Sequence, residues 1–438
     1  MDKRKAGGDS PNGLHFIFRA FQHRNYRLFF VGQGISFIGT WMHGVAMGWM
    51  VYRLTGSKHL LGIISFSSLF PSFIVSPLAG VLSDHWERRK IMLMANYIAT
   101  FAALMVSILV FAGIAKIWHL ITLSVLLGTA NGFDAPTRHA FVIEMVKRKQ
   151  DLSSAIALNS SLFNLARIIG PAVAGILINR VGEAVCFLIN SLSFLAAVVA
   201  LYMMELPANN RHKKKSLLLP NFLEGFKYVY NSNIIFPLIL FLAVLSLFSV
   251  PYFMLMPALI RDIYLLDSRY YGLLLGASGA GSLIGALFLA SRKNVPLLVV
   301  IIAASGLIFG CGVVAFSFST SYILSLIIVP ICGFGLMVNM ASTNTLIQTV
   351  CEPDKLGRVM SFYTMAFMGM ATVGNLIAGF IAEKIGAPST LRIFGTASFL
   401  ASIIFSTRAI GLRNLVHSFH YKSSVIPETT VTINAGQK

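Results

Sequence analysis

Acidic side chains are scarce in this sequence: 16 Asp and Glu stand among 438 residues, and all charged types together reach only 12%. Soluble domains carry about a quarter charged residues, because their surface faces water. A chain this long and this poor in charge cannot cover a globule with polar groups, which excludes a water-soluble enzyme or carrier of ordinary composition. Cysteine is equally sparse. The four present (Cys186, Cys311, Cys332 and Cys351) show no metal-binding or redox spacing and fall mostly in apolar stretches, so they read as free thiols serving as small hydrophobes. No phosphate-binding loop, no nucleophile with a paired base and no metal-ligating cluster is found, so the expectation is no enzyme, no ATP hydrolysis, no cofactor and no metal. Met1 to Gly13 are polar with no apolar core, and no cleavable signal peptide is expected.

What is abundant is apolar sequence: 56% hydrophobic residues and a mean hydropathy of +0.75. Stretches of roughly 20 apolar residues recur, each long enough to cross about 30 Å of hydrocarbon as a helix. None shows the alternation of a barrel strand. The spans are expected at 28–53, 60–83, 91–113, 118–142, 153–178, 183–204, 234–259, 270–291, 296–317, 321–347, 358–382 and 388–410. The fold class is therefore all-α integral membrane, with twelve helices. The expected division is an N-terminal segment 1–27, a six-helix bundle 28–204, a linker 205–233, a second bundle 234–410 and a tail 411–438.

The net charge of +19 invites a nucleic-acid reading, but the distribution argues otherwise. Of 35 Lys and Arg, 26 fall in the segments on the side of the N-terminus, 8 in the alternate segments, and Arg167 within a span. That bias places both termini in the cytoplasm and excludes a nucleic-acid partner. The sequence also repeats itself. Gly170, Pro171, Gly175, Arg180 and Gly182 align with Gly374, Asn375, Gly379, Lys384 and Gly386 at a constant offset of 204, which equates the fifth and eleventh spans. Two parallel six-helix repeats around a central path follow from that equivalence.

The loop after the second span runs Gly80-Val-Leu-Ser-Asp84-His85-Trp86-Glu87-Arg88-Arg89-Lys90. It resembles the signature loop of the major facilitator superfamily, with His85 where that family usually has Arg or Lys. In this loop Gly80 is expected to let two helices approach closely, Asp84 to cap a helix or pair with the facing half, and the basic cluster to anchor at the anionic inner surface. Glu144 is expected to join Arg88. Further segments (Arg24 to Phe29, Gly39 to Met42, Gly48 to Ser57 and Pro77 to Gly80) are similar to the enterobactin-exporter-like branch of that superfamily. The resemblance implies alternating-access export, across the bacterial inner membrane, of a bulky amphiphilic molecule, driven by protons. A siderophore is the first reading of the substrate. Multidrug or macrolide efflux, siderophore import and lysophospholipid flipping are the alternatives. Partners would be the small-molecule substrate, protons and lipid; the chain is expected to act as a monomer, with or without periplasmic or outer-membrane export components.

Candidate site residues follow from polarity inside apolar spans. Arg167 lies near mid-depth of the fifth span, where it marks substrate or coupling chemistry unless it is a buried structural pair. Asp134 and Arg138 are one helical turn apart on the fourth span and can pair directly. Asp134, the one acid well inside a first-half span, is the leading proton carrier, with His43 as the other. Gly170, Pro171 and Gly175 partly resemble the antiporter motif of exporters and are expected to bend or slide the fifth helix. Trp41, Trp49, Asn131, Asn159 and Asn164 from the first half are expected to line a wide cavity. Asn339, Asn344 and Tyr363, with Tyr252, Phe253, Gln348 and Asn375, would complete it from the second half, suiting a large, partly aromatic ligand.

Overall fold

The computed structural model describes residues 19–146, 149–205, 218–292, 294–352 and 354–425, and nearly all of them are helical. A short 3-10 turn at Arg19–Gln22 leads into α1 (Arg24–Thr55), α2 (Lys58–His85), α3 (Arg88–Phe111), α4 (Ile117–Met145), α5 (Lys149–Val181) and α6 (Glu183–Tyr202). An amphipathic helix, α7 (Leu218–Asn231), separates these from α8 (Ile235–Ser249), α9 (Pro251–Asp262), α10 (Ser268–Ala290), α11 (Leu297–Phe318) and α12 (Tyr322–Val350). The chain ends with α13 (Leu356–Thr364), a π-helical turn at Met365–Gly369, α14 (Met370–Ile385) and α15 (Ala387–Val425). Helices α8 and α9 run on as one broken unit, as do α13 and α14. The first helix begins at Arg24 rather than Leu28, and the last continues well past residue 410, so much of the expected tail is helix.

Ten of these units are long and apolar enough to cross a membrane. Helices α1 and α4 are as long as the others but fall outside that set. They are the two that carry Gln33, His43, Asp134, Arg138 and His139, and polar side chains dilute an apolar stretch only where they have somewhere other than lipid to face. The outside of the bundle is apolar, with Ile410 exposed to 74% and Ile323 to 72%, as a lipid-facing surface requires.

Packing within the two sets of helices follows one pattern. In the first, α2 packs on α4, α3 on α4 and α6, and α1 on α5 and α6. In the second, α10 packs on α12, and α11 on α12 and α15. The sets meet mainly along α5 with α10 and α2 with α14. The repeat seen in the sequence governs this seam. A Cβ on Gly175 would lie 2.6 Å from the Ser268 carbonyl oxygen and 3.0 Å from the Gly272 Cα. A Cβ on Gly379 would lie 2.9 Å from the Lys58 carbonyl oxygen and 2.9 Å from the Gly62 Cα. Small residues at such places let backbones approach, which is the principal route to tight helix packing in lipid. Turns repeat as well: Gly182 (φ 87°) alone joins α5 to α6, and Gly386 (φ 84°) alone joins α14 to α15, both in a region that L side chains avoid.

Candidate functional site

Two charged centres stand inside the first set of helices, and an aromatic line connects them. The deeper one is Arg167 on α5. Its guanidinium lies 5.7 Å from the Trp41 ring centroid on α1 and 5.4 Å from the Phe253 ring centroid on α9. Phe253 reaches that place because the seventh span is interrupted. Pro251 lacks an N–H and cannot continue the hydrogen-bond ladder of α8, but it is well suited to the first position of a new helix. The break also buries Tyr252, whose hydroxyl shares a 2.6 Å hydrogen bond with the Ser278 hydroxyl of α10. Trp41 is seated by Gly170, where a Cβ would come within 2.6 Å of the Trp41 Cβ.

The second centre is the pair predicted on α4. Arg138 Nη1 donates to Asp134 Oδ2 at 2.7 Å, and the two side chains are about equally shielded, 14% and 15% exposed. Two residues that sequence reasoning missed complete it. Asn96 of α3 donates its amide to Asp134 Oδ1 at 3.3 Å, and Gln33 of α1 accepts from Arg138 Nη1 at 3.3 Å. The Arg138 guanidinium also lies 4.6 Å from the Phe37 ring centroid. Phe163 meets Phe37 edge-on at 5.5 Å and Trp41 at 5.9 Å, so Arg138, Phe37, Phe163, Trp41 and Arg167 form one continuous row. Gln33 and Asn96 were legible only as isolated amides in apolar stretches, the same signal that singled out Asn131 and Asn159. Pro136 leaves α4 unbroken.

Other expectations sort into three groups. Asn131 and Asn159 are half-buried, and the Asn159 side-chain oxygen has no partner. Asn164 turns back to donate to the Ser160 carbonyl of its own helix at 2.9 Å. In the second set, Asn344 accepts from Gln348 at 2.5 Å, and the Tyr363 hydroxyl donates to the Met340 carbonyl at 3.1 Å. Asn339 is fully buried and ties α12 to the Ile302 carbonyl of α11 at 2.9 Å. His43 is buried with its ring edge-on to Phe187 of α6 at 4.9 Å, between helices of one set and away from the charged row. Trp49 is likewise buried, stacked on Tyr271 at 6.0 Å. A separate cavity of about 450 Å³ lies near Ala286, Leu289, Arg292, Leu298 and Met337, on the far side of the second set.

The signature-loop residues divide. Glu144 pairs with Arg88 at 3.0 Å, as expected, and Arg88 also donates to the Ala140 carbonyl. Arg89 donates to the Tyr202 carbonyl at 3.0 Å. A Cβ on Gly80 would meet open space, so the close approach expected there is instead made by Gly62, Gly175, Gly272 and Gly379. The Asp84 side chain lies outside the described residues, as do Lys147, Arg148 and the basic cluster Arg211 to Lys215. Helix α5 is unbroken through Gly170, Pro171 and Gly175, so those residues pack the helix rather than bend it in this state.

At the end of the bundle where α1 passes to α2, the two sets are latched. The Tyr52 hydroxyl donates to Asp262 at 2.5 Å, Lys58 pairs with Asp262 at 3.1 Å, and Arg261 donates to the carbonyls of Tyr52 and Arg53. Glu383 on α14 caps the start of α2 by accepting from the backbone N–H of Lys58 at 2.7 Å and of His59 at 3.1 Å. Nearby Asp267 caps α10 by accepting from the Arg269 N–H at 2.9 Å. Partial burial pushes the Asp267 carboxyl up, but its hydrogen bonds from Arg269 outweigh that and hold it below the usual carboxylate range.

Comparison with known proteins accords with this architecture. A family model described as "Transmembrane secretion effector" matches residues 17–434. The staphyloferrin A transporter of Staphylococcus aureus is 23% identical over 86% of this chain and 95% of its own. Macrolide efflux protein A of Streptococcus pyogenes is 23% identical over 87% and 96%, and the multidrug efflux pump Tap of Mycolicibacterium fortuitum 23% over 82% and 90%. Among solved structures, the nucleoside transporter NupG superposes with a TM-score of 0.71 at 11% identity, covering 88% of this chain and 99% of its own. A bacterial homologue of the iron transporter ferroportin does so with a TM-score of 0.65 at 19% identity, covering 89% and 98%.

Proposed function

Because the chain belongs to the transmembrane secretion effector family of major facilitator transporters, a multi-pass membrane protein and not an enzyme, we propose that it is a proton-coupled exporter of a bulky amphiphilic molecule. The reading places it in the bacterial inner membrane, working by alternating access, with six-helix halves at 28–204 and 234–410 and both termini in the cytoplasm. The observation that carries it is the charged row itself: a shielded Asp134–Arg138 pair joined by aromatic rings to Arg167, in a bundle whose halves are latched at one end only by small polar contacts and paired glycines. Loop charge assigns the latched end to the outside. The latched form is then open toward the cytoplasm and ready to load substrate.

In this cycle Asp134 takes a proton once the site opens outward. Neutralising it releases Arg138 to Gln33 and Phe37, and giving up the proton on the cytoplasmic side re-forms the pair. Substrate travels the opposite way. His43, shut between α1 and α6, is the weaker carrier candidate. A siderophore and a macrolide-like drug both suit the row of aromatic rings, and the relatives include a transporter for one and efflux proteins for the other. Import and lysophospholipid flipping remain alternative directions and cargoes for the same site.

Everted membrane vesicles test the reading. With an acid lumen, vesicles carrying the native chain should accumulate the compound missing from the culture supernatant of a deletion strain grown with and without iron. Asp134→Asn should lose that accumulation and keep energy-independent exchange. An Asp134→Asn chain that still concentrates the compound against the pH gradient removes Asp134 as the carrier, and accumulation in right-side-out vesicles alone reverses the direction.

A further inference from the structure

The charges inside the first half do not cancel. Asp134 and Arg138 neutralise each other, whereas Arg167 has two aromatic faces and, among the described residues, no carboxylate and no hydrogen-bond acceptor. The core of the second half supplies none: its acids, Asp262, Asp267, Glu352, Asp354 and Glu383, all stand at helix ends, where those described with partners already hold Lys58, Arg269 or Lys355. A lysine so placed could shed its charge by losing a proton. Arginine cannot, and the aromatic faces attract the cation without giving its five N–H donors any lone pair. The site therefore holds one permanent, uncompensated positive charge with an unused donor fork.

Resting on the transporter reading above, we propose that Arg167 is the anion-binding point of the transport site and takes a carboxylate of the substrate, while Trp41 and Phe253 hold the aromatic or apolar body next to it. A guanidinium fork matches a carboxylate with two parallel hydrogen bonds. The flanking rings come from different halves, so a molecule seated there touches both and its binding is sensed by the movement between them. The row through Phe163 and Phe37 extends the apolar wall toward Arg138 and suits an elongated molecule that is anionic at one end. Neutral and cationic amphiphiles are poor ligands by the same argument.

The test uses the full chain in lipid nanodiscs and two probes of equal shape, 2-naphthoate and 2-naphthamide, in calorimetric titrations. Native protein should bind the acid at least tenfold more tightly than the amide. Arg167→Gln should erase that preference while binding the amide within about threefold of native, which also certifies its fold, and Arg167→Lys should keep a reduced preference. Should Arg167→Gln fail to fold, Arg167→Lys decides by whether the preference falls. Equal binding of the two probes by native protein, binding of neither, or a preference unchanged in the folded variants overturns the inference. The vesicle assay keeps the two readings apart: export without acid selectivity sinks only the anion site, and selectivity without export sinks only the transporter.

Discussion

The two halves of this bundle share a packing plan and the glycines that bring them together, yet they have divided the work. The first half keeps its helices continuous through Pro136 and Pro171 and carries Asp134, Arg138 and Arg167. The second has no charge at those depths, and its helices are interrupted at Pro251 and at the π-helical turn Met365–Gly369. Charge needs a rigid wall, because a guanidinium shifted by an ångström loses its partners. A half without charge is free to break its helices and push side chains such as Phe253 across the seam. The lesson is that duplication preserved the interface, where both copies must fit, and released the interior.

If the seam is symmetric, damage to either copy should weigh the same. Gly175→Val and Gly379→Val should each cost upwards of about 3 kcal/mol, since the added atoms meet backbone rather than yielding side-chain tips. Thermal unfolding in nanodiscs would show it, and a variant with native stability would break the comparison. The prolines should behave unequally. Pro251→Ala should restore a continuous helix over the break, draw Phe253 away from Arg167 and lower transport about tenfold, near 1.4 kcal/mol of coupling. Pro171→Ala should change transport less than about twofold, because α5 is already continuous. Equal effects would show that the break is incidental.

The latch is also asymmetric. Lys58→Met removes the ion pair to Asp262 and should shift the resting equilibrium by about 1 kcal/mol toward opening of that end, seen as faster labelling of a cysteine introduced at residue 56. Ser268→Ala, at the related start of α10, removes a single hydrogen bond to the Gly175 carbonyl and should shift it less. The smallest effect is expected at Asp267, where loss of the cap by Asp267→Ala should cost about 0.5 kcal/mol. Its carboxyl is held low in the folded chain, so this contribution is complete above the unfolded value near pH ~4 and fades as pH falls through the lower folded value. Native and variant unfolding curves should converge in acid.

Local features of this site were readable in advance. A spacing of four put Asp134 and Arg138 together, because one helical turn is a local fact, and the offset of 204 located the glycines of the seam. Arg167 could be placed at depth by counting, but not its two rings, since Trp41 and Phe253 reach it from other helices. The latch between Tyr52, Lys58 and Asp262 joins positions some two hundred residues apart and depends on how the halves dock. The π-helical turn at Met365–Gly369 has no proline to announce it. Gly170 and Pro171, taken as a bending point, instead seat Trp41 and pack on α10, a difference that only the neighbours of a helix can decide.

The one-residue connections at Gly182 and Gly386 also bear on how the chain is made. With no slack between them, α5 and α6 cannot enter the bilayer at separate times or places, and neither can α14 and α15. Each pair must be inserted as a single hairpin, with Arg180 or Lys384 carried across near its tip. The step that delivers α5 to the membrane therefore delivers Arg167 with its helix neighbours already beside it, so the most costly charge in the protein is never alone in lipid.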